Sequence, residues 1–162
     1  MKNELIRTMD IVISILLLAV LFPLIILISI LILIFDGRPI FFTQIRIGQH
    51  GKKFTIFKFR TMKNISFKNE NLRITKIGKI IRRLSFDEIP QFFNVIKNDM
   101  SIVGPRPLPV TNEKKIRKSF KIKRRKVLPG ITGLSQINYR GKYRKLHDKI
   151  KLDIKFINNY SI

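Results

Sequence analysis

From Ile11 to Phe35 the chain runs 25 residues without a charge, interrupted only by Ser14, Pro23 and Ser29. A straight helix of that length rises about 37 Å, against a hydrocarbon core about 30 Å thick. The run is therefore long enough for a full crossing. It is too long for a cleaved signal sequence, and no small-residue cleavage site follows it. Pro23 sits at its middle, where proline removes a backbone donor and clashes with the preceding turn. Two arrangements satisfy this pattern. One is a kinked span. The other is a re-entrant helix, broken at Pro23, that enters and leaves on the same face. The apolar pattern alone favours the plain span. Residues 1–35 form this membrane segment and residues 36–162 a separate domain. Of 33 basic residues, 31 follow Phe35, which assigns that domain to the cytoplasmic face.

Beyond Phe35 the pattern shortens. Ile40–Ile47 and Phe54–Phe59 are rich in Phe and Ile, and Gly48-Gln49-His50-Gly51 between them supplies turn residues, so residues 36–62 predict a β-hairpin. Its second run ends in Lys58-Phe59-Arg60-Thr61-Met62. This is either an edge strand with basic solvent-facing side chains or a phosphate contact through Lys58 and Arg60. Residues 63–71 are polar and predict a loop. Leu72–Leu84 predicts an amphipathic helix, with Ile74, Ile77, Ile81 and Leu84 on one face and Arg73, Lys76, Lys79, Arg82 and Arg83 on the others. Such a helix packs on its own domain or lies on anionic lipid. A second helical pattern follows Pro90 through Ile96. Val103–Pro109 predicts a rigid, extended turn. Glu113–Lys126 holds nine basic residues in fourteen and predicts a solvated or lipid-facing helix. Leu134–Asn138 predicts a short strand, and Tyr143–Tyr160 returns to helical spacing. The fold class is α+β: a membrane helix plus a small domain of amphipathic helices and a β-hairpin.

Charge narrows the chemistry. A net charge of +23 calls for an anionic partner: nucleic acid, lipid headgroups or a phosphorylated substrate. The chain has no cysteine, and its two histidines are His50 and His147, which excludes thiolate chemistry and makes a Ser-His-Asp triad improbable. Hydrolase-elbow, P-loop and dinucleotide-turn motifs are missing from the sequence. Against this basic background stand Asp87 and Glu88, the only adjacent acids among ten. Paired carboxylates repel, and such a pair suits a metal, a proton or a phosphoryl group. A structural role competes with this one. Ser85 or Asp87 can cap the helix that Pro90 opens, and Ser85-x-x-Glu88 matches a capping box. The two roles are compatible, because a helix N-terminus favours the anion and an ionised carboxylate is the competent nucleophile. Arg106 lies between Pro105 and Pro107, which fix its backbone. That segment is either a simple connector or a preorganised phosphate contact.

Taken in order, several stretches resemble one family, the bacterial sugar transferases (monotopic polyprenyl-phosphate phosphoglycosyl transferases). They are Arg7 and Asp10 opening the apolar run, Pro23 within it, Gly37–Gly48, and Lys58–Met62. Ile81–Gln91, Asn94–Ser101, Val103–Pro107 and Pro129–Gln136 continue the match. The resemblance implies transfer of sugar-1-phosphate from a UDP-sugar to polyprenyl (undecaprenyl) phosphate, with release of UMP. It implies that Asp87 is the nucleophile of a covalent phosphosugar intermediate and that Glu88 helps to bind Mg²⁺. Arg82 and Arg106, with Pro105 and Pro107 around the latter, are assigned to phosphate or nucleotide binding, and Lys58 and Arg60 are weaker candidates. It also implies the re-entrant form of the helix, an inner-membrane location facing the cytoplasm, and contact with anionic lipids and downstream glycosyltransferases. The product would begin a surface glycan: exopolysaccharide, capsule, O-antigen or glycoprotein glycan. Three departures from the family pattern stand out. Phe22 replaces a small residue before Pro23, and Asn138-Tyr139-Arg140-Gly141 replaces Asn-Gly-Arg. The sequence also stops at Ile162, where relatives continue through another helical segment. The rival readings are a catalytically impaired, truncated homologue and a membrane-anchored basic protein that binds nucleic acid non-specifically. No specific nucleic-acid motif supports the latter.

Overall fold

A computed structural model describes residues 2–63, 73–139 and 145–160. The loop expected at 63–71 and the expected helix start at Leu72 fall almost wholly outside the described residues, as do Arg140, Gly141 and Tyr143. The first element, α1, is a single 35-residue helix, Lys2–Asp36, with Pro23 inside it. The expected break at Pro23 is therefore not an interruption of the helix. Proline removes one hydrogen bond, but an apolar segment offers the freed backbone no better partner than the flanking helical turns.

The two ends of α1 are both attached to the domain. Near the start, Arg7 donates to the carbonyl oxygens of Val95 at 2.5 Å and Met100 at 3.2 Å. Buried Asp10 accepts from Ser101 Oγ at 2.6 Å and from the Ile102 amide at 3.3 Å. Near the end, Ile28 and Ile32 pack in one apolar cluster with Phe59, Ile81 and Ile89. Asp10 and Ile28 are about five helical turns apart, so one stripe of the helix carries both anchors. The opposite face leaves Leu16, Val20, Phe22, Leu27 and Ile34 exposed. Arg60 closes the helix by donating to the last carbonyls, those of Asp36 and Gly37 at 2.6 Å and of Arg38 at 2.9 Å. Of these, the Asp36 carbonyl is one of the C-terminal groups an α-helix cannot satisfy by itself.

The predicted hairpin is present. Strands β1 (Phe41–Ile47) and β2 (Lys53–Phe59) pair antiparallel from Phe41↔Phe59 to Ile47↔Lys53. The turn between them puts His50 at φ 54° and Gly51 at φ 79°. A two-residue strand, β4 (Leu108–Pro109), adds to the other side of β1, so the order is β2-β1-β4. β2 is thus an edge strand. Asn94, fully buried on helix α3 (Gln91–Ile96), covers that edge by donating to Thr55 O at 2.7 Å and accepting from the Phe57 amide at 3.1 Å.

Helix α2 spans Lys76–Leu84. It begins at Lys76 because Thr75 caps it, its Oγ1 accepting from the Gly78 amide at 2.8 Å, while Ile74 is held in a bridge to Met62. Ile81 faces the core as expected, but Leu84 is 52% exposed and does not share that buried face. A parallel pair, β3 (Ser101–Val103) and β5 (Gly130–Thr132), joins two distant glycine-proline segments. The expected helix over 113–126 is two short helices, α4 (Val110–Lys114) and α5 (Lys118–Arg124). It is not wholly solvated, since Glu113 and Arg124 are buried. Residues Leu134–Asn138 form a helix, α6, and not the predicted strand, because the extended pairing is already taken by Gly130–Thr132. The final helix, α7, spans Leu146–Tyr160. Its Ile150, Ile154 and Ile157 pack with Leu108 and Ile116.

Candidate active site

Asp87 and Glu88 lie in a single 3-10 turn, Phe86–Glu88, wedged between α2 and α3. α2 ends because Ser85 adopts a left-handed conformation, φ 61°. The capping alternative is not realised: Ser85 makes no side-chain cap to the turn, and Pro90, at φ −61°, leads into α3 without a side-chain cap. The two carboxylates are thereby free of helix-capping duty.

Their surroundings differ. Glu88 Oε1 receives Lys58 Nζ at 2.5 Å and Arg106 Nη2 at 3.0 Å. Asp87 takes no hydrogen bond from any described residue, and it is half-buried. Burial pushes the Asp87 carboxyl above its ordinary value, and neighbouring Glu88 adds to this; Lys58, Arg82 and Arg106 pull the other way without overcoming it. Glu88 moves oppositely. Burial acts to raise it, but Arg106 and Lys58 outweigh burial and hold it below the ordinary glutamate range. Two adjacent carboxylates with divergent proton affinities are the arrangement expected when each has its own task.

The Arg106 loop is fixed at three successive carbonyls. Gly130 N–H donates to Pro105 O at 3.0 Å, Arg124 Nη2 to Arg106 O at 2.6 Å, and Arg46 Nη1 to Pro107 O at 3.1 Å. Arg124 is itself held by a buried ion pair with Asp153 on α7. Gly104 and Gly130 allow the two glycine-proline segments to touch: a Cβ on Gly130 would lie 2.0 Å from the Gly104 nitrogen. The backbone of the Pro105-Arg106-Pro107 segment is therefore held rigid, which is compatible with either of the two expected roles.

Of the basic residues singled out from sequence, Lys58 and Arg106 meet at Glu88. Arg82 lies beside Asp87, its Nε donating to Thr61 Oγ1 at 2.7 Å. Arg60 does not join them, because its guanidinium is engaged with the end of α1. Lys58 is not the solvent-facing side chain of a basic edge strand, since only 13% of it is exposed. Two residues the sequence reading did not assign do line the site. Arg46 and Gln91 border a cleft with Ile56, Lys58, Arg106 and Pro107. Burial, then repulsion from Arg106, lowers the Arg46 guanidinium to about 10. No signal in the sequence marks Arg46, because its place opposite Pro109 is set by strand pairing in the fold.

For a divalent cation, the donor set is small. Among the described residues no three His, Cys, Asp or Glu side chains cluster. Glu88 commits Oε1 to cations, and among the described residues neither its Oε2 nor Asp87 takes a hydrogen bond. This fits Mg²⁺, which takes one or two carboxylates plus water and substrate phosphates, better than a metal that needs a closed protein cage.

By fold and site the chain falls among membrane-associated α+β proteins whose carboxylate and arginine groups suit a phosphate ligand. Residues 1–162 match the family model described as bacterial sugar transferase, and the chain belongs to that family. It is 46% identical to the uncharacterized sugar transferase EpsL of Bacillus subtilis, over 77% of this chain and 63% of that protein. It is 38% identical to the UDP-glucose:undecaprenyl-phosphate glucose-1-phosphate transferase of Klebsiella pneumoniae, over 96% of this chain and 36% of the relative. Likeness to the UDP-N-acetylgalactosamine-undecaprenyl-phosphate N-acetylgalactosaminephosphotransferase of Aeromonas hydrophila is 35%, over 96% and 40% respectively. The chain thus spans less than two thirds of the length of these relatives.

Proposed function

We propose that this chain transfers sugar-1-phosphate from a UDP-sugar to polyprenyl phosphate at the membrane surface, as an initiating step of surface-polysaccharide synthesis. The observation that carries this reading is the division of labour in the acid pair: Glu88 is neutralised by Lys58 and Arg106, and Asp87 beside it forms no ion pair among the described residues. The named activities of the Klebsiella and Aeromonas relatives support the substrate classes.

The steps follow from the residues. An Asp87 carboxylate oxygen attacks the phosphorus that bears the sugar. A new O–P bond forms, the bond to the bridging oxygen breaks, and UMP leaves with that oxygen. A phosphate oxygen of the lipid then attacks the same phosphorus, and Asp87 departs as a free carboxylate. Phosphoryl transfer of this kind needs alignment and charge neutralisation more than proton transfer. Arg106, on its pinned loop, and Lys58 supply positive charge at a fixed place, and Arg82 favours the ionised form of Asp87. Glu88, with Asp87, would hold Mg²⁺, which when bound adds charge neutralisation at the diphosphate. Arg60 is assigned to α1 and not to substrate.

We further infer that α1 enters and leaves on one face of the membrane, bending at Pro23 within a continuous helix, and that the domain lies on the cytoplasmic side of the bacterial inner membrane. Asp10 and Ile32 would stand about 33 Å apart along a straight helix, more than the thickness of the hydrocarbon core. Both are attached to the same domain, which a helix crossing to the far side would prevent. Phe41, Phe42 and Ile45 of β1 are exposed, as are apolar residues of α1, and such side chains suit the lipid acyl boundary.

The direct test is incubation of the protein in membranes with radiolabelled UDP-sugars and Mg²⁺, followed by lipid extraction. Label in the lipid fraction together with UMP release, both stopped by EDTA, is the expected result. Salt-sensitive nucleic-acid binding with no lipid label from any UDP-sugar would overturn the proposal. Topology has its own measurement: a cysteine placed at residue 3 of this cysteine-free chain should resist an impermeant thiol reagent applied to intact cells. Labelling from outside would mean that α1 spans.

A further inference from the structure

Gln91 is the first residue of α3, three positions beyond Glu88, and is only 2% exposed. A buried amide of this kind is normally hydrogen-bonded. Here its Nε2 has no hydrogen-bond partner among the described residues. The side chain lines the cleft that Arg46, Lys58 and Arg106 also line. Arg46 Nε is a second buried donor without a partner at the same place. Two unused buried donors in one cleft cost stability in the free protein, each by roughly the desolvation of a polar group. They share that cleft with the two cations that hold Glu88.

We propose that Gln91 and Arg46 Nε are ligand-facing donors that bind a phosphate oxygen in this cleft, which shares Lys58 and Arg106 with Glu88. The inference rests on the transfer reading for its place in a reaction, but its geometry does not. The chemistry that fits is a phosphoryl oxyanion: three cationic side chains and one neutral amide line the cleft, and among the described residues no acid does. A neutral donor adds direction where further positive charge would only add repulsion among Arg46, Lys58 and Arg106. The phosphate can come from the diphosphate of the nucleotide sugar or from the prenyl phosphate acceptor.

Gln91→Met tests this, because it keeps volume and removes both amide atoms. A residue serving the fold would lose stability on that change. Gln91, whose buried Nε2 has no partner among the described residues, should not: the melting temperature of the full chain in detergent should be unchanged or higher. Ligand binding should weaken instead. Inorganic pyrophosphate and a short-chain prenyl monophosphate serve as separate probes for the two sources. For one of them the wild type should show a rise in melting temperature that Gln91→Met loses, with affinity about tenfold to a hundredfold weaker. Gln91→Glu, which places an anion among the three cations, should abolish that rise while leaving the chain folded. A lowered melting temperature in Gln91→Met with ligand shifts intact would overturn the proposal, as would unchanged binding of both probes. If the wild type transfers no sugar phosphate but its pyrophosphate or prenyl-phosphate response depends on Gln91, the transfer reading fails and this site stands. If transfer occurs and neither response depends on Gln91, the reverse holds.

Discussion

Asp87→Asn should abolish sugar-phosphate transfer, lowering UMP release by about 10,000-fold or more, the scale expected when a nucleophile is removed from a cooperating site. An amide oxygen is a poor nucleophile at phosphorus, and none of the neighbouring groups can replace it: Glu88 already shares Oε1 with Lys58 and Arg106. The quenched, substrate-loaded wild type should carry a phosphosugar adduct on the peptide containing residue 87, and the variant should carry none. Turnover in the variant, or an adduct elsewhere, would refute the assignment. The same substitution has a second effect that separates chemistry from folding. Burial raises the Asp87 carboxyl in the folded state, so the fold binds this proton more tightly than the unfolded chain does. Ionisation of Asp87 therefore works against folding. The penalty is absent below the ordinary aspartate range and develops as pH rises through the raised folded value. Asp87→Asn should then melt higher than the wild type at neutral pH and level with it in acid. A dead enzyme that is more stable than its parent is difficult to explain by misfolding.

How far the sequence carried depended on how local each feature is. The hairpin was legible because its pairing is set by two adjacent apolar runs and a glycine-bearing turn. The helix α1 was legible from length and composition, but its relation to the domain was not. That relation is decided by Arg7 and Asp10 reaching residues about ninety positions away, which no window on the sequence spans. Lys58 and Arg60 carry the same charge two positions apart, yet one meets Glu88 and the other closes α1. Arg60 falls just past the end of β2, where the strand's alternation no longer fixes direction. The basic run over 113–126 read as solvated because most of it is. Its two buried charged members, Glu113 and Arg124, are paired with Arg125 and Asp153, and the second of these pairs depends on the packing of α7. Leu134–Asn138 shows the usual ambiguity of a short apolar run between helix and strand. The acid pair stood out because acids are scarce in this chain. The cleft beside it did not, since Arg46, Gln91 and Arg106 come from three elements that only the tertiary fold brings together.

Glu88→Gln should lower transfer by about 100-fold to 1,000-fold, the range seen when a positioned electrostatic group is lost. The reason is what it leaves behind. Lys58 and Arg106 are held together by one carboxylate oxygen, and Arg46 already feels repulsion from Arg106. An uncharged amide cannot hold two cations there, so Arg106 loses its anchor even though its backbone stays pinned by Gly130, Arg124 and Arg46. The Lys58 arm is the more shielded, with side chains 13% and 18% exposed, whereas Arg106 is 45% exposed. Solvent therefore screens the second arm, and the expected stability loss is about 1–3 kcal/mol, below that for breaking a fully buried pair. The pH dependence gives a sharper check. Glu88 is held below its ordinary value in the fold, so its stabilisation is complete above the unfolded glutamate value and disappears as pH falls through the lower folded one. Wild type should lose stability across that acid window, and Glu88→Gln should show a shallower fall there. Equal acid slopes in the two proteins would mean that Glu88 is not the anion Lys58 and Arg106 share. With the slopes separated and transfer still at the wild-type level, the pair would be structural, and Asp87 would have to act without it.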